Sequence, residues 1–177
     1  MRSIKFNDEM VRMILSGNKT QTRRPVKPQP NVVHALYGNG KILTNLLFRN
    51  GKDVDLIPCP YGKLGDWLWV REDFSFDGDL NVIWMADGTT LDKGITWSPA
   101  RSMPRSCSRI TLEITDIRVQ RVQEIDYTDC ESEGIDHNGD EKPCRMCFEV
   151  LWNSIYAEKG FGWDANPWVW AITFRRM

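Results

Sequence analysis

Residues 108–122 read SRITLEITDIRVQRV, and the alternation of their apolar side chains decides the fold. Ile110, Leu112 and Ile114 share one parity, and Ile117 and Val119 share the other after a switch near Asp116. Period-two alternation marks a strand with one buried face, and a single switch of parity marks a bulge or a turn. Outward from this strand, GKLGDWLWVRE (62–72) places a turn at Gly65-Asp66 before a strand over 67–71 that is apolar on both faces, and PWVWAITFRR (167–176) reads as a closing strand. NVIWMAD (81–87) is a further short strand, and residues 3–6 alternate as another.

Helices sit between these strands. In NDEMVRMILSGN (7–18), Asn7 is the expected N-cap, Asp8 and Glu9 favour the positive helix end, and Met10/Ile14 and Val11/Leu15 form i,i+4 apolar pairs. Gly17 then closes the last turn, and KTQTRR leaves extended, with Pro25 pressing Arg24 toward strand geometry. Asp126 offers an N-cap for a short acidic helix, YTDCESEG, and CFEVLWNSIYAEKG (147–160) carries Phe148, Leu151, Trp152 and Ile155 on one stripe. A proline-flanked segment, VVHALYGNGKILTNLLF, predicts a hairpin about Gly38-Asn39-Gly40 inside an insertion. Strands and helices do not alternate regularly, so the expected class is α+β: a small, mostly antiparallel, partly closed β-barrel with flanking helices.

The chain has 177 residues, enough for one domain with a sizeable core, and 23 Lys plus Arg balance 24 Asp plus Glu. That balance removes the simplest case for a nucleic-acid binder and leaves basic surface only as local runs. Residues 19–28 carry four positive and no negative side chains, and residues 101–109 bring Arg101, Arg105 and Arg109. The sequence contains no transmembrane run or secretory leader pattern, and five cysteines fit reduced thiols, so a cytoplasmic protein with no membrane partner is expected.

GNKTQTRRP (17–25) is either a solvated basic turn or the edge of a site for something anionic. Lys19 and Thr22 point to opposite faces of an extended chain, so both reach one site only if the chain turns at Gly17-Asn18. A desolvated lysine can shed its proton and act as a base toward a threonine hydroxyl. Cys144 and Cys147 have zinc half-site spacing, with Cys130 and His137 nearby, but no second pair accompanies them, so no metal is expected. No phosphate loop, dinucleotide fingerprint, G-x-S-x-G or HExxH occurs, and no cofactor is expected. Trp67, Trp69, Trp152, Trp168 and Trp170 fall in strand or helix patterns and read as core or half-buried; Trp84, Trp97 and Trp163 are the candidates for lining a pocket.

In the order ILSGNKTQTRR, GKLGDWLWVRE, a long strand, IDYTDCESEGI and a closing WVWAITF, the chain resembles the ASCH domain, a relative of the PUA fold. WLWVRE, MPRSCSRITLEITD and LWNSIY are similar to the longer members often carried by phages and prophages. The resemblance implies a single domain over residues 1–177 with insertions at about 26–60 and 75–105. It also implies a cavity, and either binding of RNA or nucleotides or hydrolysis of an N4-acetylcytidine-like amide. The Lys/Thr motif of the hydrolases falls on Lys19 and Thr22, and their glutamate on Glu133, with Glu131 two positions away as the alternative. Arg23 or a backbone amide would stabilise the oxyanion, and Arg23, Arg24, Arg105, Arg109 and Trp69 are the candidate substrate-binding residues. The competing reading is an RNA- or nucleotide-binding module without turnover, working through the basic loop and Arg101, Arg105 and Arg109; a third is an accessory protein that binds a host protein through its insertions. The oligomeric state is not set by the sequence.

Overall fold

The computed structural model describes residues 1–30, 33–38, 41–50, 53–89, 96–135 and 141–177, with the backbone alone for 33–38, 41–50, 53–56 and 141–143. Strand β1 (Arg2–Lys5) leads into helix α1 (Asp8–Ser16), and β2 (Gln21–Pro25) follows. Next come β3 (Val33–Gly38), β4 (Lys41–Asn50) and β5 (Asp53–Pro58), then β6 (Trp67–Arg71), β7 (Phe74–Phe76) and β8 (Val82–Trp84). The long β9 (Thr111–Arg121), helices α2 (Tyr127–Ser132) and α3 (Glu141–Tyr156), and β10 (Trp168–Arg176) complete the order.

Five strands form the main sheet in the order β1-β6-β9-β10-β2. Only the β1–β6 pair is parallel, so the class is α+β with a mostly antiparallel sheet. The sheet is not closed: its edges are β1 and β2, and no ladder joins them among the described residues. A side chain spans the seam instead, because Arg24 Nη2 on β2 donates to the Lys5 carbonyl on β1 at 3.0 Å.

The parity switch in β9 is a bulge. Ile114 pairs with Phe174 and Asp116 with Thr173, which leaves Thr115 as the extra residue. The bulge resets the pleat so that Leu112, Ile114 and Ile117 are all buried despite their mismatched spacing. Their core is completed by Ile4, Phe6, Val11, Leu68, Val70 and Trp170.

Helix α1 forms as its sequence dictates: Asn7 Oδ1 accepts from the Met10 amide at 2.9 Å, and Gly17, at φ 84°, donates its amide to Ile14. Strands β3, β4 and β5 make a separate antiparallel sheet. Pairing of Gly38 with Lys41 agrees with the expected hairpin, whose turn residues 39 and 40 lie outside the described residues. Strands β7 and β8 pair antiparallel as a two-stranded ribbon.

Two expectations for the tryptophans need correction. Trp163 is a core residue, buried with Phe148 and Trp152 in a second core under α3. Trp67 is 47% exposed, because it opens β6 at the sheet's rim, where it lines a cavity with Met1, Arg2, Tyr61 and Asp66.

Candidate active site

Alternation along β2 sorts four polar residues into two groups. Gln21 and Arg23 face the end of α2, whereas Thr22 and Arg24 bond to each other and turn toward the β1–β2 seam. On α2, Asp126 caps the helix by accepting from the Asp129 amide at 2.8 Å. Asp129 and Glu133 are four positions apart, one turn, so both carboxylates come to the same side. Glu133 is the C-cap residue, and Gly134 at φ 84° turns the chain away. At φ 84° the position favours glycine by conformation, and a Cβ there would lie 2.7 Å from Met13 Sδ, forcing that side chain to shift, and 3.3 Å from Lys19 Cβ.

Lys19 precedes β2 and is anchored by its own backbone. Its amide donates to the Met13 carbonyl at 3.0 Å, and the Thr20 amide donates to the Ser132 carbonyl at 2.8 Å. This places Lys19 Nζ 2.7 Å from Glu133 Oε2 and 2.7 Å from the Glu133 carbonyl oxygen. Lys19 is 1% exposed and Glu133 3%. Burial drives the Lys19 pKa below its ordinary 10.5, and the Glu133 charge and hydrogen bond offset only part of that shift.

Arg23 completes a buried ionic cluster. Its Nη1 donates to Glu133 Oε1 at 3.1 Å and to Gln21 Oε1 at 2.6 Å, and its Nη2 pairs with Asp129. Arg118 from β9 donates to the other Asp129 oxygen at 2.6 Å. Burial alone would raise the Asp129 pKa, but the Arg23 and Arg118 charges outweigh it and hold the carboxyl below 3.8. Arg23 is therefore fully committed to positioning carboxylates, with its Nε alone lacking a partner.

Thr22 is fully buried, and its Oγ1 accepts from Arg24 Nη1 at 2.7 Å; the hydrogen bonds of Lys19 Nζ go to Glu133. Arg24 also donates to the Arg23 and Lys5 carbonyls and bonds Tyr61, so every partner is a neutral oxygen. The Phe6 ring is a shared landmark, 5.1 Å from the Arg24 guanidinium and 6.0 Å from Lys19 Nζ. Phe6 and Arg24 both line a cavity of about 410 Å³ at the seam, together with Lys5, Tyr61, Tyr156 and Lys159. A cavity of about 450 Å³ beside Trp67 shares Tyr61 with it, and neither cavity is lined by Lys19, Thr22, Arg23, Asp129 or Glu133.

The remaining sequence candidates lie with other partners. Arg109 grips the fully buried Glu72 through two hydrogen bonds of 3.0 and 2.9 Å, reaches Asp87 at 2.8 Å and stacks on Trp84. Arg105 donates to Thr111 and lies 5.9 Å from the Trp69 ring, which Arg71 also covers at 4.8 Å. Cys130 and Cys144 are both buried and hydrogen-bond each other; Cys147 is exposed, and His137 lies outside the described residues. Among the described residues no group of three or more His, Cys, Asp or Glu is placed to hold a metal ion.

Sequence reasoning missed Gln21, Asp129 and Arg118 in the cluster, and Phe6, Tyr61 and Tyr156 around the cavity. The i,i+4 spacing of Asp129 and Glu133 was the available signal for the first group. No local pattern announces the second, since the cavity assembles residues from four separated segments.

No family model matches the chain, and no curated protein does. Among solved structures, the crystal structure of protein EF3133 from Enterococcus faecalis V583, described as DUF984, matches all of this chain and 80% of its own, with a TM-score of 0.50. The two sequences are 10% identical, so the likeness concerns the fold alone.

Proposed function

We propose that this chain is an ASCH-type, PUA-like domain that hydrolyses the amide of an N-acylated nucleoside or nucleotide, of which N4-acetylcytidine is the model substrate. The observation that carries the reading is the buried contact between Lys19 and Glu133, beside a strand on which the buried Thr22 is hydrogen-bonded to Arg24, itself a lining residue of the seam cavity. A lysine desolvated to this degree is suited to a neutral amine that can take a proton, and Glu133 orients it through two hydrogen bonds.

In this mechanism Thr22 Oγ1 attacks the acyl carbonyl carbon while its proton passes to Lys19. Arg24, which already donates to Thr22 Oγ1, stabilises the developing negative charge; Arg23 is too fully engaged with Asp129 and Glu133 to do so. The C–N bond breaks, the exocyclic nitrogen takes the proton from Lys19, and water then hydrolyses the Thr22 ester to release the acid. Because Thr22 is fully buried, the substrate must draw Arg24 off the hydroxyl as it enters.

The test is release of cytidine from N4-acetylcytidine by the purified chain, beside Lys19→Ala, Thr22→Val and Glu133→Gln. Turnover lost in all three variants supports the reading; full activity of Thr22→Val removes the nucleophile. A binding module without turnover is the second reading, favoured by the exposed Arg101 and Arg105 and by the two arginines over Trp69. Phosphate contacts of that kind would show as binding that weakens steeply with salt.

A further inference from the structure

The seam cavity has an electrostatic character that amide hydrolysis of a neutral nucleoside does not require. Three cations line it, Lys5, Arg24 and Lys159, and none of its described lining residues is acidic. None of the three forms an ion pair among the described residues. Arg24 is half-buried on neutral oxygens alone. Lys159 lends one hydrogen to the Ile155 carbonyl at the end of α3 and keeps two. Lys5 gives only its carbonyl to Arg24, and although its charge is felt by Asp8, the two make no ion pair. Like charges gathered at one cavity repel, and an anionic ligand relieves that repulsion.

The walls narrow the class of anion. Phe6, Tyr61 and Tyr156 supply aromatic surface and Met10 and Ile155 aliphatic surface. A volume of about 410 Å³ suits a small molecule and leaves little room for a chain of linked residues. A nucleotide supplies both an aromatic body and an anion, with the base against the rings and the phosphate on the ammonium groups.

We propose that the seam cavity takes a nucleoside 5′-monophosphate in preference to the free nucleoside, with Lys5 and Lys159 as its phosphate anchors. This deepens the proposed function and rests on that reading for the choice of cytosine as base. Lys5 and Lys159 are exposed at the cavity rim and stand outside the Lys19, Thr22, Arg24 and Glu133 machinery, so they set which form of the substrate binds without taking part in bond cleavage.

The experiment is calorimetric titration of the intact chain with cytidine 5′-monophosphate, cytidine and a short cytidine oligonucleotide. The monophosphate is expected to bind about tenfold or more tightly than cytidine. Lys5→Ala combined with Lys159→Ala should abolish that advantage while leaving the cytidine affinity and the melting temperature unchanged. Equal affinities, no binding of either, or a phosphate advantage that survives the double variant would overturn the inference. An oligonucleotide that binds far more tightly than the monophosphate would overturn it in favour of RNA. Comparing turnover of N4-acetylcytidine with that of its 5′-phosphate separates the two readings. Equal kcat/KM leaves the amidohydrolase standing without the phosphate anchors; phosphate-dependent binding with no turnover leaves the anchors without the amidohydrolase.

Discussion

Lys19 Nζ donates twice to one residue 114 positions along the chain, to Glu133 Oε2 at 2.7 Å and to the Glu133 carbonyl at 2.7 Å. Burial lowers the lysine pKa, and Glu133 is the largest influence holding it up. Turnover that needs the neutral amine should therefore rise with pH through a midpoint below 10.5. Glu133→Gln removes the carboxylate charge, so the Lys19 midpoint, followed by NMR titration because that variant should not turn over, should fall further; an unmoved midpoint would show that Glu133 does not hold the lysine pKa up.

Thr22→Val replaces a hydroxyl by a methyl in a fully buried position and leaves one Arg24 hydrogen bond unmade. The stability cost should be about 1 kcal/mol by urea denaturation, while turnover should fall by about three orders of magnitude. Thr22→Ser should retain measurable activity, since it keeps the oxygen.

Asp129 holds Arg23 and Arg118 together, and its pKa lies below 3.8 in the folded chain. The stability it contributes is complete above 3.8 and is lost as pH falls through the lower folded value. Asp129→Asn should cost about 3 kcal/mol at neutral pH, because Arg23 and Arg118 lose their shared anion, and should flatten this acid limb. Urea titrations at neutral pH and at about pH 3 check both effects.

Gly134 and Gly17 share a φ of 84°, yet they differ in surroundings. A methyl at Gly17 meets nothing within 4 Å, so Gly17→Ala should cost about 1–2 kcal/mol of conformational strain and leave turnover intact. Gly134→Ala adds a collision with Met13 and crowds Lys19 Cβ. It should destabilise more and lower turnover, and thermal melts run beside activity assays separate the two outcomes.

Arg109 neutralises Glu72, which is fully buried. Arg109→Ala should cost about 3–5 kcal/mol by stranding that carboxylate, with turnover per folded molecule unchanged. Loss of ligand binding from a variant shown to be folded would instead return Arg109 to the substrate-binding set.

The strands and helices were legible because their signals are local. Ile110, Leu112 and Ile114 alternate, Asn7 and Asp126 cap helices, and Gly17 ends α1, each decided within a few residues. The parity switch near Asp116 was legible as an irregularity, but choosing bulge over turn required β10, since only the partner strand shows that Thr115 is unpaired. The same dependence explains Trp163 and Trp67: irregular sequence around Trp163 concealed a place under α3, and a strand pattern around Trp67 concealed a rim position.

For the candidate site, the sequence by itself determined part of the cast: a basic stretch carrying Lys19, Thr22 and the arginines after a glycine-capped helix, and a short acidic helix ending at Glu133. Tertiary structure alone decided who meets whom. Pairing of β2 with β10 and the Thr20–Ser132 hydrogen bond bring α2 against the start of β2, and burial converts Lys19 and Glu133 into a contact in low dielectric. Strand alternation then turns Thr22 and Arg24 to the seam, where the unclosed sheet leaves a cavity that no short stretch of sequence encodes. Local propensity depends on neighbours along the chain, whereas desolvation and charge pairing depend on neighbours in space, here 114 positions apart for Lys19 and Glu133.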